Sequence, residues 1–178
     1  MKALVTVGST GFDDLVASAI SSDFLSKLYD IGYQHLTIQY GSSESIYHDR
    51  IANLDLTSGR TPVIEGYRYK SDIKQDMVQA DLIISHAGDK IDTSSGSILE
   101  SLRLHKKLIA VVNKRLLDNH QDELANVLEK QGCLIKSTSS GLADALTALK
   151  AKEFTSFPEQ DASKFNDFLD REMGYMIE

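Results

Sequence analysis

The sequence predicts a doubly wound α/β domain, a parallel sheet with helices on both faces. Three observations predict it. Short apolar, β-branched runs alternate with longer amphipathic runs along most of the 178 residues. The linkers are short, which favours strand–helix–strand crossovers within one sheet. Glycine and small hydroxyl residues gather where the strands end.

Ala3 to Val7 reads as the first strand, ending at Gly8-Ser9-Thr10-Gly11. A helix follows from Asp13 or Asp14 to about Asp30, with Leu15, Ile20, Phe24 and Leu28 at helical spacing and Gly32 as a stop. His35 to Tyr40 alternates and is β-rich, ending at Gly41. Ser42 to Thr61 is polar and weakly patterned, a loop with a weak helix around Ile46 to Leu54. Pro62 to Gly66 is a short strand, Ser71 to Gln79 a helix and Asp81 to Ser85 a buried strand. Gly96 to Leu104 is a helix, Lys107 to Val112 a strand and Asp118 to Gln131 a helix. Cys133 to Lys136 is the last strand and Gly141 to Lys150 the last helix of a domain spanning residues 1–153. Residues 154–178 form a C-terminal helical tail. Phe157-Pro158 marks its start, and Phe165, Phe168, Leu169 and Met173 repeat at helical spacing. That stripe either docks back on the sheet or helps to hold a partner.

Composition narrows the function. Apolar residues make up 42% and charged residues 25%, ordinary values for a globular domain. The net charge of -7 repels phosphate backbones, so nucleic acid is not expected as a partner. A small phosphate ligand remains possible, since a few local amides suffice to hold one. Cys133 is the only cysteine. It excludes an internal disulfide and a thiolate metal cluster, and reads as core packing. The N-terminal apolar run is too short for a signal peptide, and no run approaches the roughly 20 residues of a membrane helix. A cytosolic chain is expected, with any membrane attachment supplied by a partner.

In open α/β sheets ligands bind outside the carboxyl ends of the strands. Three such ends carry suitable residues. Gly8-Ser9-Thr10-Gly11 precedes a helix, whose N-terminus and amides can meet an anion, though a tight structural turn reads equally well. The second runs from Ile84-Ser85-His86-Ala87-Gly88 through Asp89 to Ser94, then Ser95-Gly96-Ser97-Ile98-Leu99-Glu100. His86 ends a strand, and Ser95-Gly96-Ser97 opens a helix that can receive a diphosphate. Glu100, one turn further in, can accept from two vicinal ribose hydroxyls. Singly, His86 is a strand-end histidine and Glu100 an exposed helix carboxylate; their order makes the combination informative. The third end is Val112-Asn113, then Leu117-Asp118-Asn119-His120-Gln121. Asp118 can cap the helix, and Asn119, His120 and Gln121 can bond sugar hydroxyls.

His86-Ala87-Gly88, then Gly96-Ser97-Ile98-Leu99-Glu100-Ser101-Leu102, then Leu117 to Gln121 resemble the catalytic subunits of the UDP-N-acetylglucosamine transferase of asparagine-linked glycosylation, of glycosyltransferase family 28. More distantly they resemble the C-terminal domain of the bacterial peptidoglycan N-acetylglucosaminyltransferase and the nucleotide motif of plant UDP-glycosyltransferases. Val5 to Thr10 and Leu36 to Gly41 share the likeness, which covers most of residues 3–150. The resemblance implies a Rossmann-like domain forming half of a GT-B enzyme. A membrane-anchored partner subunit would supply the acceptor half at the cytosolic face of the endoplasmic reticulum. It implies an inverting transfer of the second N-acetylglucosamine to N-acetylglucosaminyl-diphosphodolichol. Gly8, Ser9 and Thr10 would line the cleft near the diphosphate of UDP-GlcNAc, and His86, Gly88, Ser95, Gly96 and Ser97 would face it. Glu100 would hold the ribose, and Asn119, His120 and Gln121 the sugar.

One departure stands out. The related subunits run from His-Ala-Gly straight into a Thr-Gly-Ser-type helix start, whereas this chain inserts residues within Asp89 to Ser95. Asp89 and Asp92, partly offset by Lys90, bring negative charge near the expected diphosphate. If the insert loops outward the site survives; if inward, donor affinity falls. Helix dipoles and amides can stabilise a leaving diphosphate, and no Asp-x-Asp pair is present, so no metal is expected. No residue qualifies as catalytic base, and the chain alone is expected to be inactive or nearly so. The alternatives are a non-enzymatic nucleotide-binding or adaptor domain on the same scaffold, and a complete single-chain enzyme with a small acceptor.

Overall fold

The computed structural model describes residues 1–9, 11–55, 57, 59–87, 97–113 and 120–157; for His120, Gln121 and Asp122 only the backbone is described. The predicted strands form one sheet. They are β1 (Lys2–Thr6), β2 (His35–Gln39), β3 (Val63–Tyr67), β4 (Leu82–His86), β5 (Lys107–Val112) and β6 (Ile135–Thr138). Among the described residues all pairings are parallel, in the order β3-β2-β1-β4-β5-β6. The chain builds outward from β1 to β3, then crosses back to lay β4 on the other side of β1. The connections from β1 and β4 therefore lead to opposite sides of the sheet, which makes the carboxyl ends of these two central strands the topological switch point, where open α/β sheets bind ligands.

The alternation of side chains along each strand divides the core in two. Val5, Ile38, Ile84, Ile109 and Ile135 point to one face, where they meet Leu15, Phe24 and Leu28 of α1 (Asp13–Ala19) and α2 (Ser22–Asp30). Tyr47 of α3 (Glu44–Ala52) and Leu146 of α7 (Leu142–Ala151) complete that face. Leu4, Ile83, Leu108 and Ala110 point to the other. There they meet Met77 of α4 (Lys74–Gln79), Leu102 of α5 (Ser97–Arg103) and Leu128 of α6 (His120–Lys130). The expected doubly wound Rossmann-like sheet is thus present.

Several boundaries differ from expectation. The helix expected to run to Asp30 is two. Ser21 is extended (φ -73°, ψ 144°), its hydroxyl donates to the Ser18 carbonyl (2.8 Å) and accepts from the Phe24 N–H (3.4 Å), and so it caps α2. The helix expected from Ser71 starts at Lys74, whose N–H is taken by the Asp72 carboxylate at 2.8 Å. The last strand begins at Ile135 rather than Cys133, because the Cys133 N–H closes the end of α6 on the Leu128 carbonyl (3.0 Å). Cys133 itself is buried. The tail starts inside the core: Phe154 packs against the first face and Phe157 is buried in the second. Phe165, Phe168, Leu169 and Met173 lie outside the described residues.

Candidate donor-binding site

The loops after β1 and β2 turn on left-handed glycines. Gly8, Gly11 and Gly41 have φ of 75°, 77° and 56°. A Cβ on Gly41 would run into the Gly8 carbonyl oxygen, and one on Gly11 into the hydroxyls of Ser42 and Ser43. The loops that follow β1 and β2 therefore interlock through glycine. Ser43 fastens them further, its buried hydroxyl accepting from the Phe12 N–H at 2.9 Å. On its outer side Gly8 is open: a Cβ there would meet nothing within 4 Å.

The centre of this arrangement is Gln39, 4% exposed at the end of β2. Its Oε1 accepts from the Thr6 hydroxyl (2.8 Å) and from the N–H groups of Val7 (3.2 Å) and Gly8 (3.0 Å). Its Nε2 donates to the carbonyls of Gly8 (2.9 Å) and Arg68 (3.0 Å), so one carboxamide joins the ends of β1, β2 and β3. Sequence reasoning missed it. The available signal was slight: a long amide at the last position of an apolar strand, two residues before a glycine.

His86 is the last residue of β4, at the switch point, and is 8% exposed. Its ring lies 4.7 Å from that of Phe12, tilted by 51°. Phe12 leads into α1, so His86 and the glycine loop share one edge of the two central strands. Expectation ended this strand at Ser85; the extra residue brings His86 into the ladder opposite Val111.

Ser97 opens α5, and Glu100 lies one turn in, 3.8 Å from the Lys74 ammonium at the start of α4. Both carboxylate and ammonium are partly exposed, so the pair orients Glu100 more than it stabilises the fold. Ser101, fully buried, returns its hydroxyl to the Ser97 carbonyl and ties down the first turn. His120 and Gln121 begin α6, after β5, at the same edge of the sheet. Thr10, Gly88, Ser95, Gly96 and Asn119 lie outside the described residues, as does the insert Asp89 to Ser95. The structure thus brings Gly8, Ser9 and His86 to one edge of the two central strands and sets Ser97 and Glu100 on the helix after β4, and His120 and Gln121 on the helix after β5.

A second polar cluster lies on the sheet. Tyr67 donates to Asp76 at 2.6 Å, and Lys70 reaches the same carboxylate at 2.8 Å, beside a cavity of about 390 Å³ also lined by Lys2, His35, Thr37 and Glu65. Burial alone would raise the Asp76 carboxyl, but the hydrogen bonds from Lys70 and Tyr67 outweigh it and hold the carboxyl below the usual range. Burial and the same bond push the Tyr67 phenol up. This is an internally matched ion-pair network. Among the described residues no three His, Cys, Asp or Glu side chains converge as metal ligands, and no helix is long and apolar enough to cross a membrane.

The parallel sheet with a glycine loop and a histidine at its switch point belongs to the Rossmann-like class, whose ligands bind at that edge, and comparison names the family. Residues 2–171 match the glycosyltransferase family 28 C-terminal domain, and the chain belongs to that family. It is 42% identical over 140 residues to the UDP-N-acetylglucosamine transferase subunit ALG13 of Mus musculus, covering 77% of this chain but 11% of that protein. The chain therefore spans about a ninth of the length of that relative. To the protein of the same name from Cryptococcus neoformans it is 31% identical over 198 residues, covering 97% of this chain and 96% of that one. The NMR solution structure of ALG13 superposes with a TM-score of 0.69 at 28% identity, over 94% of each chain. Acinetobacter baumannii MurG gives 0.57 at 19% identity, over 84% of this chain and 40% of that one, a likeness of fold.

Proposed function

We propose that this chain is the donor-binding subunit of an inverting UDP-GlcNAc transferase that adds the second N-acetylglucosamine to GlcNAc-diphosphodolichol during N-glycan precursor synthesis. The observation that carries this reading is His86 beside the Gly8 loop at the switch point of a family 28 domain. The relatives named as UDP-N-acetylglucosamine transferase subunits support the same donor. In the reaction an acceptor hydroxyl attacks the anomeric carbon from the face opposite UDP, and the glycosidic diphosphate bond breaks. The oxygen left on UDP gains negative charge. Amides of the Gly8 loop not taken by Gln39 and those of the α5 opening, with His86, face that charge, a role that calls for no resident metal. Glu100 accepts from the ribose hydroxyls, while Asn119, His120 and Gln121 bond the sugar.

None of these residues takes the proton of the acceptor hydroxyl, so the base belongs to a membrane-anchored partner subunit that completes the cleft. That partner recruits the chain to the cytosolic face of the endoplasmic reticulum. Calorimetry with UDP-GlcNAc, partner present, tests the reading. Wild type should bind, and Glu100→Ala should bind about tenfold or more weakly, the worth of hydrogen bonds to a charged group. Absence of binding by wild type would sink the transferase reading and favour an adaptor domain, the alternative that the acidic insert Asp89 to Ser95 suggests.

A further inference from the structure

We propose that Gln39 is a positioning residue of the donor site: it fixes both peptides flanking Gly8 and thereby aims the Ser9 N–H at the donor diphosphate. The inference rests on the transferase reading above. The Gly8 N–H is already taken by Gln39 Oε1 at 3.0 Å, so the amide most obviously placed to meet an anion is turned inward. The Gly8 carbonyl is turned inward as well, on to Gln39 Nε2 at 2.9 Å and against the face of Gly41. The described peptides are all trans. In a planar trans peptide the C=O and N–H point in opposite directions. With its carbonyl directed at Gln39, the Gly8–Ser9 peptide therefore directs its N–H, that of Ser9, outward. Around Gly8 the space is open where a Cβ would stand, and three residues after Ser9 the Phe12 ring lies against His86.

Only a neutral carboxamide of this length satisfies the site. Three donors converge on Oε1 and two carbonyls on Nε2, which also fixes which end of the amide is which. Glutamate matches the shape but has no donor, and sets a buried carboxylate against the carbonyls of Gly8 and Arg68. The Gly8–Ser9 peptide then loses its inward anchor and can rotate about the left-handed glycine.

Two measurements test this. The first is an NMR titration of the full-length wild-type chain with UDP, following backbone amides and their hydrogen exchange. The Ser9 amide should move most in this loop, while the Gly8 amide stays protected with and without UDP. A freely exchanging Gly8 amide that responds to UDP while Ser9 stays still would overturn the proposal. The second is Gln39→Glu in the complex with its partner. Donor KM should rise about tenfold with acceptor KM held, as for one lost hydrogen bond to a charged phosphate. A folded Gln39→Glu with wild-type donor KM would overturn the positioning role alone. A wild-type complex that binds no UDP would instead remove the transferase reading, and this role with it. Should Gln39→Glu fail to fold, the wild-type titration decides.

Discussion

At the scale of single residues, two positions show how local chemistry sets a global property. Asp76 is held below its ordinary value of 3.8 by Lys70 and Tyr67. The unfolded chain therefore takes up this proton at higher pH than the folded one. The stabilisation is complete above the unfolded value and is lost as pH falls below about 4 towards the folded value. Asp76→Asn should lower stability at neutral pH and flatten the acid limb of a urea-melt series against pH. An unchanged acid limb would mean that the network contributes nothing. Gly66 illustrates space rather than charge. A Cβ there would run into the Tyr47 ring, which stacks on Tyr40 with centroids 4.5 Å apart. Gly66→Ala should cost about 1–3 kcal/mol, the usual scale of overpacking. Tyr47→Ala in the same chain should recover part of that loss, and strict additivity in a double-mutant cycle would contradict the contact.

At the scale of elements, the break between α1 and α2 is the clearest case. Apolar spacing from Leu15 to Leu28 reads as one helix because both halves present their apolar side to the same face of the sheet. Ser21-Ser22-Asp23 carries a capping signature that the spacing masks. Ser21→Ala should therefore destabilise the protein, toward the lower end of about 0.5–2 kcal/mol because the Phe24 N–H is 3.4 Å away. For a chain of this size that is a melting shift of roughly 2 °C. No shift would mean that packing alone sets the break. The strand-end loops were legible for a related reason. Glycine at Gly8, Gly11 and Gly41 marks local backbone requirements that sequence displays directly. Gln39 was not, because its partners come from three strands and no spacing rule joins Thr6, Gly8 and Arg68.

At the scale of the whole molecule, the proposed donor site lies at one edge of a single sheet, and on that reading the chain needs a second half to become an enzyme. Purified alone it should turn over no acceptor at a measurable rate, and adding the membrane partner should restore transfer. Turnover by the chain alone would defeat the half-enzyme reading. Deleting 158–178 should reduce recovery of the partner from a membrane fraction; an unchanged yield would exclude a docking role for that segment. Phe154 and Phe157 stay in such a variant because they already pack on the two faces of the sheet.

The sequence by itself determined the fold class, the order of strands along the chain, and Gly8, Ser9, His86 and Glu100 as candidates. Hydrophobic period, glycine and capping residues are local signals, and a parallel α/β sheet follows from their alternation. The tertiary structure decided how those candidates are placed. Only the pairing of β1 with both β2 and β4 sets His86 beside the glycine loop. Only the approach of Gln39 turns the Gly8 amide and carbonyl inward. Such partnerships join residues distant in the chain, and their energies depend on burial and direction, which no stretch of sequence contains.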